Sequence, residues 1–180
     1  MTILSIGRFV PYKDYFTAIY SIKELTDRHP DIRNKLVYHI VGYGNLEKDI
    51  LKTIHENNLG DVIKIFDGRR NVSDYYKKAC IFFNTSIEEG LSNSIMEAMS
   101  FGLPIVATSA GDSEYLVKDN FNGYICKAGD SSDLAEKLYR LISDEDLRNQ
   151  FSENSYDHIK NNFSVTSMIN RYKELIDKNS

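Results

Sequence analysis

No stretch of the 180 residues stays apolar for long. A membrane-spanning helix needs about 20 such residues. The apolar run at positions 1–10 is interrupted by Arg8, so it reads neither as a span nor as a signal peptide. Cysteine is scarce: Cys80 and Cys126 are far apart, each inside an apolar run. Two distant cysteines make no disulfide framework, and they read as reduced, buried strand residues of a cytoplasmic protein. A positive excess is also lacking. Lys and Arg total 22 against 26 Asp and Glu, a net charge of −4. That excludes a general nucleic-acid face, which must neutralise many phosphates, but not a small basic pocket for one diphosphate. His29, His39, His55 and His158 have no ligand spacing to one another, so they indicate no metal site. There is no Gly-Lys-Ser/Thr phosphate loop, internal repeat, low-complexity tract or linker. What remains is one domain of ordinary globular composition, long enough for a substantial core.

Short unbroken apolar runs alternate with helical patterns. Strands are expected at Ile3–Gly7, Leu36–Gly42, Val62–Phe66, Cys80–Thr85, Pro104–Thr108 and Gly123–Cys126. Such runs suit parallel strands buried on both faces. Helices are expected near 14–29, 45–58, 71–79, 93–101 and 112–118. This alternation implies βαβ units and an α/β fold, a Rossmann-like doubly wound parallel sheet of about six strands. From about residue 131 the pattern turns helical throughout. Leu134, Leu138, Leu141 and Ile142 share one face. Ser143 is expected to cap an acidic first turn, Asp144-Glu145-Asp146, which reads as helix-dipole compensation rather than a metal-binding acid pair. Val165, Met168, Ile169, Tyr172, Leu175 and Ile176 form a third helical stripe.

Three constellations carry chemistry. Gly7-Arg8 and Lys13 follow strand one, where ligands of open α/β sheets sit. Two cations there suit a diphosphate, though they also read as solvated loop charges. Gly42-Tyr43-Gly44 follows strand two. Its two glycines allow close backbone approach to a ligand, or simply a tight turn. A third glycine for a dinucleotide fingerprint is missing, because position 47 is Glu47. The longest constellation runs from Asn84 to Thr108. A strand ends, a loop carries Glu88, Glu89 and Gly90, and a helix begins near Ser92 to Ser94. A helix N-terminus offers free N–H groups and a positive dipole end to phosphate. Glu97 lies one turn in, where its carboxylate suits a ribose diol; Ser94-x-x-Glu97 also matches a capping box. Glu89 reads either as a sugar ligand or as an exposed loop acid.

Glu89-x7-Glu97, set within Glu-Gly-Leu, Met-Glu-Ala-Met and Gly-Leu-Pro-Ile-Val-Ala-Thr, resembles the signature of the family 4 retaining glycosyltransferases. Gly7-Arg8 with Lys13, Gly42-x-Gly44-x-Leu46, Gly68, Gly111 and Gly123-Tyr124 extend the resemblance over nearly the whole chain. It implies one half of a GT-B architecture, the half that binds the donor, with an N-terminal acceptor domain absent. It further implies that Arg8, Lys13 and Glu89 act on the donor at the reacting centre. Arg8 and Lys13 bind the donor diphosphate together with backbone N–H groups of Leu91, Ser92 and Asn93. Glu97 holds the ribose and Glu89 the transferred sugar. The base lies near Gly68 to Asn71, where Arg69 and Arg70 are pocket residues or surface charges. Gly7, Gly42, Gly44 and Gly90 belong to the same donor-binding set. No cofactor and no metal are expected. The donor is a UDP-, GDP- or ADP-sugar, and the acceptor a glycan or lipid-linked saccharide of surface polysaccharide or glycoconjugate synthesis. Peripheral association of the whole enzyme with the inner face of a membrane fits that role. The 180 residues alone are then expected to bind nucleotide without transferring sugar. The last helical stripe is expected to fray or to seek cover in a dimer. A non-catalytic nucleotide-sugar sensor or subunit is the alternative; a sugar-nucleotide epimerase fragment is disfavoured by the paired glutamates.

Overall fold

The computed structural model describes residues 1–69, 71–164, 166, 167, 169 and 173. Six strands form one sheet: β1 Thr2–Arg8, β2 Val37–Tyr43, β3 Ile63–Asp67, β4 Ile81–Asn84, β5 Ile105–Thr108 and β6 Gly123–Cys126. All pairings are parallel, and the order is β3-β2-β1-β4-β5-β6. The helices are α1 Tyr15–Arg28, α2 Glu47–Glu56, α3 Ser73–Lys78, α4 Asn93–Ser100, α5 Ser113–Leu116, α6 Ser131–Ser143 and α7 Glu145–Asn162.

Consecutive strand residues show why the apolar runs are unbroken. Ile3 and Leu4 are both fully buried, yet they enter different core clusters on opposite faces of the sheet. Ile40 and Val41, Phe82 and Phe83, and Ile105 and Val106 divide in the same way. A sheet covered on both faces needs an apolar residue at every position, not every second one. One face is covered by α1, α2 and α6 through residues such as Ile19, Ile50 and Leu138. The other is covered by α3, α4 and α5 through Tyr76, Met99 and Leu116. Helix α7 serves both: Phe151 meets Tyr124 at 5.3 Å on the first face, while Ile159 packs into the second.

The expected elements are present, with ends displaced by one or two residues. Two details differ from the sequence reading. Ser143 does not cap α7. It closes α6, its hydroxyl donating to the Tyr139 carbonyl at 2.8 Å, and Asp144 is the single joint residue whose carboxylate accepts from the Leu147 N–H at 2.9 Å. Cys80 is half-buried and precedes β4, whereas Cys126 is buried in β6 with its thiol pKa pushed up mainly by that burial. A short 3-10 turn at Pro30–Lys35 had no counterpart in the periodicity. Of the last helical stripe, Val165, Met168, Tyr172, Leu175 and Ile176 lie outside the described residues, and so does the dimer expectation resting on them. Among the described residues, no helix is long and apolar enough to cross a membrane.

Candidate functional site

Strand order reverses between β1 and β4, so a crevice opens there beyond the carboxyl ends of the strands. The register brings glycines together at that edge. Gly7 pairs with Gly42, and the Gly68 N–H donates to the Gly42 carbonyl at 3.1 Å. A Cβ on Gly42 would overlap the Gly7 carbonyl oxygen, so the spacing of β1 and β2 at the crevice requires glycine.

From β1 the chain passes Arg8 and enters a 3-10 turn, Pro11–Lys13. Asp14 then adopts left-handed backbone, φ 41°, and its carboxylate caps α1, accepting from the Thr17 N–H at 3.2 Å and the Thr17 hydroxyl at 2.6 Å. From β4 the chain passes Thr85 and Ser86, both buried, into the loop that holds Glu89. The two loops are tied to each other. The Ile87 N–H donates to the Tyr12 carbonyl at 2.8 Å, and the Thr85 hydroxyl to the Asp14 carbonyl at 2.8 Å. Lys13 and Glu89 close this junction as an ion pair with side chains only 15% and 10% exposed. The Ser86 hydroxyl also donates to Glu89 Oε1, at 2.8 Å. Gly111, at φ +53°, lies so close to the Glu89 carbonyl oxygen that a Cβ would overlap it. Beneath the junction, Tyr15 is buried and its phenol pKa is raised well above the ordinary range. Burial is the main cause, with the charges of Tyr38 and Glu89 adding. Tyr15 therefore stays a neutral wall beside the pair.

Arg8 is exposed and donates to the Tyr12 hydroxyl at 2.7 Å. The Tyr12 ring also faces the Lys13 ammonium at 5.8 Å. Tyr12 thus braces both cations, a role that nothing in its sequence position signalled. Across the crevice, α4 begins at Asn93 with Ser92 at its N-cap, and no side chain caps it. By contrast α1, α6 and α7 each have a capping aspartate. The first N–H groups of α4, next to Leu91 and Ser92, are left for solvent or an anion. Gly90 sits in open space at the loop, with no atom near enough to exclude a side chain.

Glu97 settles one sequence ambiguity. Ser94 is inside α4 rather than at its cap, and the Glu97 carboxylate does not turn back to it. Glu97 Oε2 instead accepts from the Tyr76 hydroxyl at 2.8 Å. At the ends of β2 and β3, Tyr43, Glu47, Phe66, Asp67 and Arg69 line a hollow of about 130 Å³ together with Gly42. Arg69 stands at its rim, 4.9 Å over the Tyr43 ring and 3.2 Å from Asp67. Gly44 follows at φ +154° against the Phe9 backbone. Arg70 lies outside the described residues. Among those residues no cluster of acids, histidines and cysteines has metal-ligand geometry.

The strand order and the gathering of polar side chains at the switch point define a doubly wound α/β domain of the Rossmann class. The chain belongs to the glycosyl transferases group 1 family, whose model matches residues 1–158. An uncharacterized glycosyltransferase of Haemophilus influenzae is 29% identical over 178 residues, 97% of this chain and 48% of that protein. The UDP-Gal:alpha-D-GlcNAc-diphosphoundecaprenol alpha-1,3-galactosyltransferase of Escherichia coli is 27% identical over 173 residues, 94% of this chain and 43% of that one. TarM of S. aureus, solved in complex with Fondaparinux, alpha-GlcNAc-glycerol and UDP, superposes with a TM-score of 0.86 at 25% identity, covering 97% of this chain and 35% of TarM. The fold is therefore the Rossmann-like one of GT-B glycosyltransferases. The chain spans about half the length of the curated relatives it matches.

Proposed function

We propose that these residues form the donor-binding part of a retaining family 4 glycosyltransferase, one that moves a sugar from a nucleoside diphosphate to a glycan or lipid-linked acceptor. The observation that carries the reading is the gathering, in the segments after β1 and β4, of Arg8, the Lys13–Glu89 pair and the uncapped start of α4, with Glu97 one turn into that helix. A nucleotide sugar has complementary parts: a dianionic diphosphate, a ribose diol and a hexose.

In this reading Arg8, Lys13 and the first N–H groups of α4 receive the diphosphate. Glu97 takes the ribose hydroxyls, and Glu89, already clamped by Ser86, takes hydroxyls of the transferred sugar. The base enters the hollow at Tyr43 and Arg69. Negative charge grows on the leaving diphosphate as the glycosidic bond breaks. Fixed donors aimed there lower the barrier, each by about 2–4 kcal/mol for oxyanion-type contacts. The residues themselves supply this charge, so binding would not depend on a metal. The name of one relative, the UDP-Gal:alpha-D-GlcNAc-diphosphoundecaprenol galactosyltransferase of Escherichia coli, supports a donor and acceptor of those classes. A role in polysaccharide assembly, with the whole enzyme working at a membrane surface, belongs to the same reading.

Calorimetric titration with UDP, GDP and ADP in EDTA tests the reading. One nucleotide should bind, and Arg8→Ala should weaken it by about tenfold, since a charge-assisted hydrogen bond contributes about 1.5–3 kcal/mol. Arg8 is exposed, so the melting temperature should not change. Loss of binding in EDTA, or full affinity in Arg8→Ala, would refute the assignment.

A further inference from the structure

Tyr76 is 2% exposed and sits on α3, a helix that carries none of the chemistry described above. Its ring stacks on Phe101 at 5.3 Å and 7° between planes, and leans on Phe82 at 5.9 Å. Two ring neighbours on different elements leave it no freedom to swing. Its one polar atom reaches out of the apolar cluster and donates to Glu97 Oε2 at 2.8 Å; the Ser94 carbonyl lies further away at 3.4 Å. Burial raises the phenol pKa far above the ordinary range, and the bond to Glu97 raises it further. The hydroxyl therefore remains a donor at any working pH. Glu97 is exposed on α4, and among the described residues no Lys or Arg pairs with it.

An exposed glutamate samples many rotamers, and ordering it on ligand binding has an entropic cost. A carboxylate bound to a diol works best when both oxygens already point at the two hydroxyls. We propose that Tyr76 is a positioning residue: its buried hydroxyl fixes the Glu97 carboxylate so that the free oxygen edge faces the ribose of the donor. This rests on the reading of Glu97 as the ribose ligand given above. The feature was hidden in the sequence, where a tyrosine in an apolar helix face reads as core. Both readings of the residue are true here, because the ring is core and the hydroxyl is not.

The test compares two probes by calorimetry: whichever of UDP, GDP and ADP binds tightest, and its counterpart lacking both ribose hydroxyls. The wild-type chain should prefer the hydroxylated nucleotide by about tenfold or more. Tyr76→Phe keeps the ring and both stacking neighbours. It should lose most of that preference while binding the dideoxy counterpart as before. Adding Tyr76→Phe to Glu97→Ala should weaken binding no further than Glu97→Ala alone, because both act through one contact. If the wild type shows no preference, the ribose role of Glu97 falls, and this inference with it. If the wild type discriminates and Tyr76→Phe discriminates equally well, with only a lower melting temperature, the hydroxyl merely ties α3 to α4. Additive losses in the double variant would overturn the proposal in the same way.

Discussion

Lys13 and Glu89 neutralise each other within the crevice, which determines what each substitution should do. Glu89→Gln keeps the shape and the Ser86 contact but releases the Lys13 charge. It is expected to bind a nucleoside diphosphate at least as tightly as wild type. The extra affinity conferred by the sugar should fall by about tenfold, the cost of one charge-assisted hydrogen bond. Paired titrations with the diphosphate and its sugar check this. An unchanged sugar increment would remove Glu89 from the sugar site. At this scale the sequence was partly legible. Glu89 and Glu97 stood out because their spacing straddles a strand-loop-helix transition, and Arg8 and Lys13 because cations beyond a strand end need a reason. Tyr12 and Tyr76 did not stand out. Each acts by one hydroxyl on a partner four or twenty-one positions away, and aromatic residues in such settings read first as packing.

Among the elements, the α1 start carries the most information. Asp14 holds it through two contacts to Thr17 while in left-handed backbone, which a short polar side chain tolerates better than alanine does. Asp14→Ala should lower stability by about 1–2 kcal/mol. Asp14→Asn keeps an acceptor oxygen and tolerates the backbone, so it should lose much less. Urea midpoints measure both, and equal losses would show that the cap is not what stabilises this turn. The consequence extends to the site, because the Asp14 carbonyl anchors Thr85 and Lys13 immediately precedes it. Helix α4 shows the opposite arrangement, with no side-chain cap at all. Periodicity located both helices, but not their caps. Asp14 was read simply as a helix end, and Ser143 was given the role that Asp144 fills, because adjacent candidates differ only in which one leaves the preceding helix.

At the level of the whole molecule, the order β3-β2-β1-β4-β5-β6 makes the site. Arg8 ends β1 and Lys13 lies in the turn that follows, whereas Glu89 lies in the loop after β4 and Glu97 in α4, more than seventy positions later; only the reversal between β1 and β4 sets these segments side by side. Unbroken apolar runs alternating with helices made the class of fold legible. The order of strands was not, since burial on both faces looks the same for a central strand in any position. Gly42 and Gly111 likewise showed as motif letters, but their reason appears only when Gly7 and Glu89 are seen against them. The most direct measurement is a crystal structure of the chain with its tightest-binding nucleoside diphosphate sugar. The account predicts phosphate oxygens within about 3 Å of Arg8, Lys13 and the first N–H groups of α4. It also predicts ribose hydroxyls on Glu97 and the Lys13–Glu89 pair opened, with Glu89 turned to the sugar. A nucleotide seated elsewhere on the surface, with Lys13 still paired to Glu89, would contradict it.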